Sequence, residues 1–186
     1  MKCSVFIATS VDGYIATDDG GVDWLHTAGN SQAGMSENPD MGFSQFMASV
    51  DCMVMGRKCM ETIASMNLTP EQWPYGTTHI VVLSSTLTQP PKSLQGKVEM
   101  FNGSITDLIA SLTRKGFKHA YIDGGTTITS FLNLKLIDDI TITQAPIVLG
   151  SGIPLFGKLQ QPVKLTSTTT TRFANDFVQI TYQVSY

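Results

Sequence analysis

The chain has 186 residues, 42% of them hydrophobic and 15% charged, with a net charge of −3. That composition belongs to a globular chain and excludes a disordered one. No basic run is present, which excludes broad electrostatic binding to nucleic acid or to an acidic membrane.

The length fits a single domain over residues 1–186. The three cysteines, Cys3, Cys52 and Cys59, are widely spaced and form no CxxC, so neither a disulfide framework nor a zinc site is implied. No stretch approaches the ~20 apolar residues of a membrane span. A reducing, cytoplasmic setting fits these features.

In chain order, Cys3 to Ala8 is a near-continuous apolar run, the pattern of a strand covered on both faces. Thr9 to Gly13 turns, Tyr14-Ile15-Ala16 is a short extended piece, and Thr17 to Gly21 is a turn cluster. After Val22-Asp23-Trp24-Leu25, the span from His26 to Asn38 is small, polar and longer than structure alone requires. Pro39-Asp40 opens a helix whose Phe43, Phe46, Met47 and Val50 share one face.

A buried strand, Cys52 to Met55, ends at Gly56, and a helix from Arg57 runs to about Met66. Thr69 to Thr77 is loop, and His79 to Leu83 is a strand ended by Ser84-Ser85. Val98 to Phe101 is strand-like. Ser104, with Asp107 three residues on, caps a helix that Gly116 closes. His119 to Ile122 is a strand that meets Asp123-Gly124-Gly125-Thr126-Thr127, and a helix follows. Asp139 to Leu149 reads as strand, Gly150 to Pro154 as turn, and Lys164 to Val184 as an antiparallel hairpin. The alternation predicts an α/β fold: a mostly parallel central sheet flanked by helices, with an antiparallel C-terminal hairpin.

The chemistry concentrates at two glycine-bearing strand ends, each opening a helix. One is Gly56-Arg57-Lys58 and the other Gly124-Gly125-Thr126-Thr127. Glycine lets a ligand come close to the backbone, and a helix start presents free N–H groups and a positive dipole. In an open parallel sheet such ends share one edge, so the two starts suit a pyrophosphate or two phosphates. Ser84 and Ser85 add hydroxyls at a third strand end. Neither GxxxxGK[ST] nor a helix-opening GxGxxG occurs, which disfavours the common nucleotide motifs.

Asp40 is the candidate acid. A carboxyl among Met41, Phe43 and Phe46 has reason for a raised pKa and proton transfer; the alternative is a plain helix cap. Asp12 and Asp123 sit at turns and read as structural. Cys59 lacks a neighbouring base and reads as inert.

Taken together, several pieces resemble the dihydrofolate reductase-like superfamily. The resemblance is strongest to its branch related to the C-terminal reductase domain of bacterial riboflavin biosynthesis. They are Ile7 to Ala16, Val22 to Leu25, Val54 to Lys58, Tyr121 to Gly125, and Leu136 to Asp139 continuing to Pro154-Leu155-Phe156-Gly157. The resemblance implies a reductase that moves hydride from NADPH to a small heterocycle. That substrate would be a pteridine, a folate, or a pyrimidine of the 5-amino-6-(5-phosphoribosylamino)uracil type.

The resemblance further implies that Arg57 binds the 2′-phosphate with Ser84 or Ser85. It puts Lys58, Gly124, Gly125, Thr126 and Thr127 around the pyrophosphate, next to the cofactor-binding glycine already read at Gly56, and the backbone of Ala8 and Ile15 at the nicotinamide amide. Trp24, Asp40 and Phe43 fall at the substrate, Asp40 as proton donor. A homodimer is common in that branch. The chain departs from its relatives at Cys59 and Met60, where they carry threonine and an aromatic. A second reading is therefore a ligand-binding module of the same fold without turnover.

Overall fold

The computed structural model describes residues 1–36 and 40–186. Asn38, the predicted end of the polar loop, and Pro39, the predicted helix opening, lie outside the described residues.

The elements run β1 (Lys2–Thr9), β2 (Tyr14–Ala16), α1 (Trp24–Thr27), α2 (Phe43–Ser49), β3 (Cys52–Gly56) and α3 (Arg57–Ser65). Then come β4 (His79–Leu83), β5 (Val98–Phe101), α4 (Ile105–Arg114), β6 (His119–Asp123) and α5 (Gly125–Asn133). The chain ends with β7 (Asp139–Gln144), β8 (Ile153–Pro154), β9 (Lys164–Arg172) and β10 (Val178–Ser185). One eight-stranded sheet has the order β5-β4-β3-β6-β1-β7-β10-β9. Its neighbours are parallel from β5 to β7, and β10 runs antiparallel to both β7 and β9. This is the predicted mostly parallel sheet with an antiparallel C-terminal pair.

Apolar residues on both faces of the parallel strands demand cover on both sides. On one face Val5, Val54, Val81, Ile122 and Ile140 pack with Leu108 and Leu112 of α4 and Ile128 and Phe131 of α5. On the other, Met53, Met55, Ile80, Val82 and Tyr121 pack with Met60 of α3 and the Phe43, Phe46 and Met47 stripe of α2. A third, smaller cluster gathers Trp24, Ala145, Phe173 and Phe177. Burial of each large apolar side chain contributes about 1.5–3 kcal/mol.

Two departures from the sequence expectation bear on the site. The strand predicted over Asp139 to Leu149 stops at Gln144. There the chain leaves the sheet: Ala145 is buried and donates its N–H to the Thr9 carbonyl at 2.8 Å. The Asp12 carboxylate then accepts from the N–H groups of Leu149 (3.1 Å) and Gly150 (2.7 Å). The predicted turn at Gly150–Pro154 also contributes β8, which pairs antiparallel with β2. Together they form a small flap beside the main sheet.

The second feature is a split. β1 pairs with β6 only over Lys2–Ser4 but with β7 over Ser4–Thr9. Past Ser4 the two strands part, although β6 stays paired with β3 as far as Asp123. No helix of the described residues is long and apolar enough to cross a membrane.

Candidate active site

Where β1 and β6 part, a cleft of about 690 Å³ opens at the carboxyl ends of the strands. This is where ligands enter open parallel sheets. Alternate residues of a strand turn their backbone groups to opposite neighbours. The Cys3 and Thr9 carbonyls bond on the β7 side, whereas the Phe6 carbonyl accepts from the Tyr121 hydroxyl on the β6 side at 2.9 Å. Ala8 has the same parity as Phe6, so its N–H and C=O are directed into the gap.

One wall of the cleft is made by the starts of α3 and α5. Neither helix has a side-chain cap, and the cap positions are Gly56 and Gly124. Their first-turn N–H groups therefore open toward the cleft that Gly56, Arg57, Lys58 and the Gly124–Thr127 run line. The glycines bring the two turns together. A Cβ at Gly56 would stand 3.0 Å from Thr127 Oγ1, and one at Gly124 would stand 2.4 Å from Cys59 Sγ. At Gly125 it would meet the Pro154 carbonyl oxygen of β8 at 2.6 Å. Gly124 also has φ +90°, a conformation L side chains rarely adopt.

Arg57 Nη1 donates to Glu61 Oε1 at 2.8 Å, a pair partly open to solvent. Such a pair is worth about 0–1 kcal/mol, so an incoming anion displaces it readily. Lys58 is exposed beside it.

Another part of the lining is aromatic. Phe6 lies 5.8 Å from Phe43 and 5.0 Å from Phe46, and Tyr121 meets Phe46 edge-on at 5.1 Å. Tyr75 and Leu25 complete it. Asp123 ends β6, two residues from Tyr121 and on the same face. Tyr121 spends its proton mainly on the Phe6 carbonyl, leaving a long 3.4 Å contact to Asp123 Oδ1. Desolvation raises the Asp123 carboxyl to about 6, against the opposing effect of hydrogen bonds from Gly124 and Tyr121. Tyr75 and Tyr121 are pushed upward by burial and by the nearby Asp123 charge. Burial pushes the Cys59 thiol up to about 12.

Residues 2–179 match the model of the RibD C-terminal domain family.

The chain belongs to the RibD C-terminal domain family.

It is 34% identical over 183 residues to the uncharacterized protein YwjB of Bacillus subtilis, covering 97% of each chain. Among solved structures it is similar to a protein of Shewanella sp. PV-4 named by inference for riboflavin biosynthesis. There the TM-score is 0.89 at 41% identity, and both chains are fully covered. The fold also matches dihydrofolate reductase from Enterococcus faecalis, a complex with NADP(H), with a TM-score of 0.64 at 14% identity. That match covers all of this chain and 97% of that one. The fold is thus dihydrofolate reductase-like, in its riboflavin-related branch.

In this RibD C-terminal domain, Ala8, Ile15, Phe43, Gly56, Arg57, Lys58 and Gly124 to Thr127 all line the one cleft. Four expected residues do not. Asp40 precedes α2, accepting from the N–H groups of Gly42 (3.1 Å) and Ser44 (2.8 Å). Hydrogen bonds from the Ser44 side chain and backbone hold its carboxyl below the usual range, the reverse of a raised acid. It is not the helix cap either: the cap position is Gly42 and the helix begins at Phe43, so Asp40 belongs to the turn before α2 and bonds its backbone. Trp24 is buried in the third cluster, and its indole N–H has no partner among the described residues. Its neighbour Leu25 faces the cleft instead. Ser84 turns its hydroxyl onto the N–H groups of Thr86 (3.3 Å) and Leu87 (2.9 Å). Ser85 is exposed outside the lining.

Asp123 corrects the sequence reading in the other direction, since it is a cleft acid and not merely a turn residue. Phe6, Tyr75 and Tyr121 were not singled out either. The i, i+2 spacing of Tyr121 and Asp123 just before a glycine pair was the available signal.

Proposed function

We propose that this protein is an NADPH-dependent reductase that delivers a hydride to a small heterocycle. One observation carries the reading: two uncapped, glycine-started helices meet at a cleft that also holds aromatic side chains and a protonatable acid. Gly124 to Thr127, with Gly56 and Lys58, would hold the pyrophosphate. Arg57 would take the 2′-phosphate in exchange for Glu61. The backbone of Ala8 and Ile15 would hold the nicotinamide amide, beside Phe43 as a substrate contact. Cys59 is compatible with this use. Its sulfur fills the space beside Gly124, and its thiol stays neutral and so does not repel phosphate.

When bound, NADPH supplies the hydride. Reduction of a ring C=N also needs a proton. Asp123 takes the part that Asp40 cannot: its carboxylic acid gives a proton to the ring nitrogen and is reprotonated from solvent through the open cleft. A carboxyl at about 6 is suited to that exchange near neutral pH. The aromatic wall excludes water from the reacting face.

A charge-assisted contact to the 2′-phosphate is worth about 1.5–3 kcal/mol, a preference for NADPH over NADH of roughly 10- to 100-fold. Separate titrations with NADPH and NADH, followed by nucleotide fluorescence, test this. Arg57→Ala should erase most of the preference. Equal affinities in the unmodified protein would overturn the assignment. NADPH binding with no oxidation across pterins, flavins and pyrimidines would leave a ligand-binding module.

A further inference from the structure

Among the described residues that line the cleft there is one acid, Asp123, at the end of β6 and next to Gly124. Among the described residues that line the cleft the cations are Arg57 and Lys58, both on the first turn of α3. In the reading above they serve the cofactor phosphates. The sequence Glu37-Asn38-Pro39, outside the described residues, contains no cation either. Tyr75, Tyr121 and Cys59 stand close to Asp123, and Phe6 and Phe43 line the same cleft. Tyr121 has already committed its proton to the Phe6 carbonyl. The neutral hydroxyl of Tyr75 is no substitute for a cation.

A phosphate or carboxylate brought against these residues would lose its water, meet no cationic partner, and stand beside an acid. A flat ring without such a group would stack on the aromatics. Its ring N–H or amino groups could donate to Asp123, whose oxygens hold only the Gly124 N–H and a long 3.4 Å contact from Tyr121 and keep acceptor capacity to spare.

Resting on the reductase reading, we propose that the substrate is an unphosphorylated, flat nitrogen heterocycle with no acid group, neutral or cationic. Asp123 is the residue that rejects phosphoribosyl and carboxylate-bearing relatives of it. This sets the chain apart from the phosphoribosyl pyrimidine that the sequence resemblance implies.

Calorimetric titration with matched probes tests the inference: riboflavin against riboflavin 5′-phosphate, and pterin against pterin-6-carboxylate. Each is titrated into free protein and into protein with NADP⁺, at a pH above the Asp123 value of about 6. NADPH alone is titrated separately. Its failure to bind would sink the reductase reading, whereas the matched pairs can still be compared on the free protein. The uncharged member of each pair should bind about tenfold tighter or more. In Asp123→Asn the ratio of affinities within each pair should shrink toward equality. Charged members that bind as tightly as uncharged ones would overturn the proposal. So would failure of both uncharged members to bind, or discrimination that survives Asp123→Asn unchanged.

Discussion

Asp123 is held in a conflict that its neighbours do not resolve. Desolvation lifts its carboxyl from 3.8 to about 6. Tyr75, Tyr121 and Cys59 beside it stay neutral, while Arg57 and Lys58 face the same cleft from α3. Because the folded value exceeds the unfolded one, the favourable contribution is complete below about 3.8 and is lost as pH rises through about 6. Above that, the fold carries a charge it would rather not hold. The shift corresponds to at most about 3 kcal/mol. Asp123→Asn should therefore stabilise the protein by about 1–3 kcal/mol above pH ~7 and by almost nothing near pH ~4. Urea melts at the two pH values would show it. For any pterin, flavin or pyrimidine that the protein reduces, the same variant should lower kcat by about a hundredfold or more. Unchanged turnover would remove Asp123 from proton transfer.

At the level of elements, the site depends on two helix starts that approach more closely than side chains allow. Gly124 carries both constraints, a left-handed backbone and a Cβ position 2.4 Å from Cys59 Sγ. Gly124→Ala should cost about 1–2 kcal/mol for the backbone and about 1–3 kcal/mol more for overpacking. Adding Cys59→Ala should recover the packing part and leave the backbone part. Denaturant midpoints of the single and double variants separate the two. If the double variant is no more stable than Gly124→Ala alone, the close contact is not what constrains the turn.

Over the whole molecule, the cleft draws on residues from Phe6 to Ile153, from β1, β3, β4 and β6 of the main sheet and from the β2–β8 flap. A ligand bound there ties β1, α3, α5 and the flap together and binds only the folded chain. NADPH at a hundred times its Kd should add about 2.7 kcal/mol of stability. For a chain of this size that raises Tm by about 5–10 °C. NADH at the same concentration should raise it less. Equal shifts by scanning calorimetry would argue against a 2′-phosphate site at Arg57.

The sequence alone determined the parts that rest on local physics. Apolar runs marked β1, β3, β4 and β6 because strands covered on both faces have no polar alternation to hide them. Gly56 and Gly124-Gly125 marked the two helix starts, because few other residues let two backbones come so near. Ser104 marked its own cap, and its hydroxyl accepts from the Asp107 N–H at 3.1 Å. What depended on distant partners was not legible. Asp40 read as a buried acid from its aromatic neighbours in sequence, yet its carboxylate turns onto the local backbone. Asp123 read as a turn residue, yet the divergence of β1 from β6 exposes it to a desolvated cleft. Trp24 and Ser84 were drawn away by a cluster and a turn that no local pattern announces. Strand and helix signals come from residues a few positions apart, whereas the proton affinity of a carboxyl is set by whatever packs over it, and only the tertiary structure decides that.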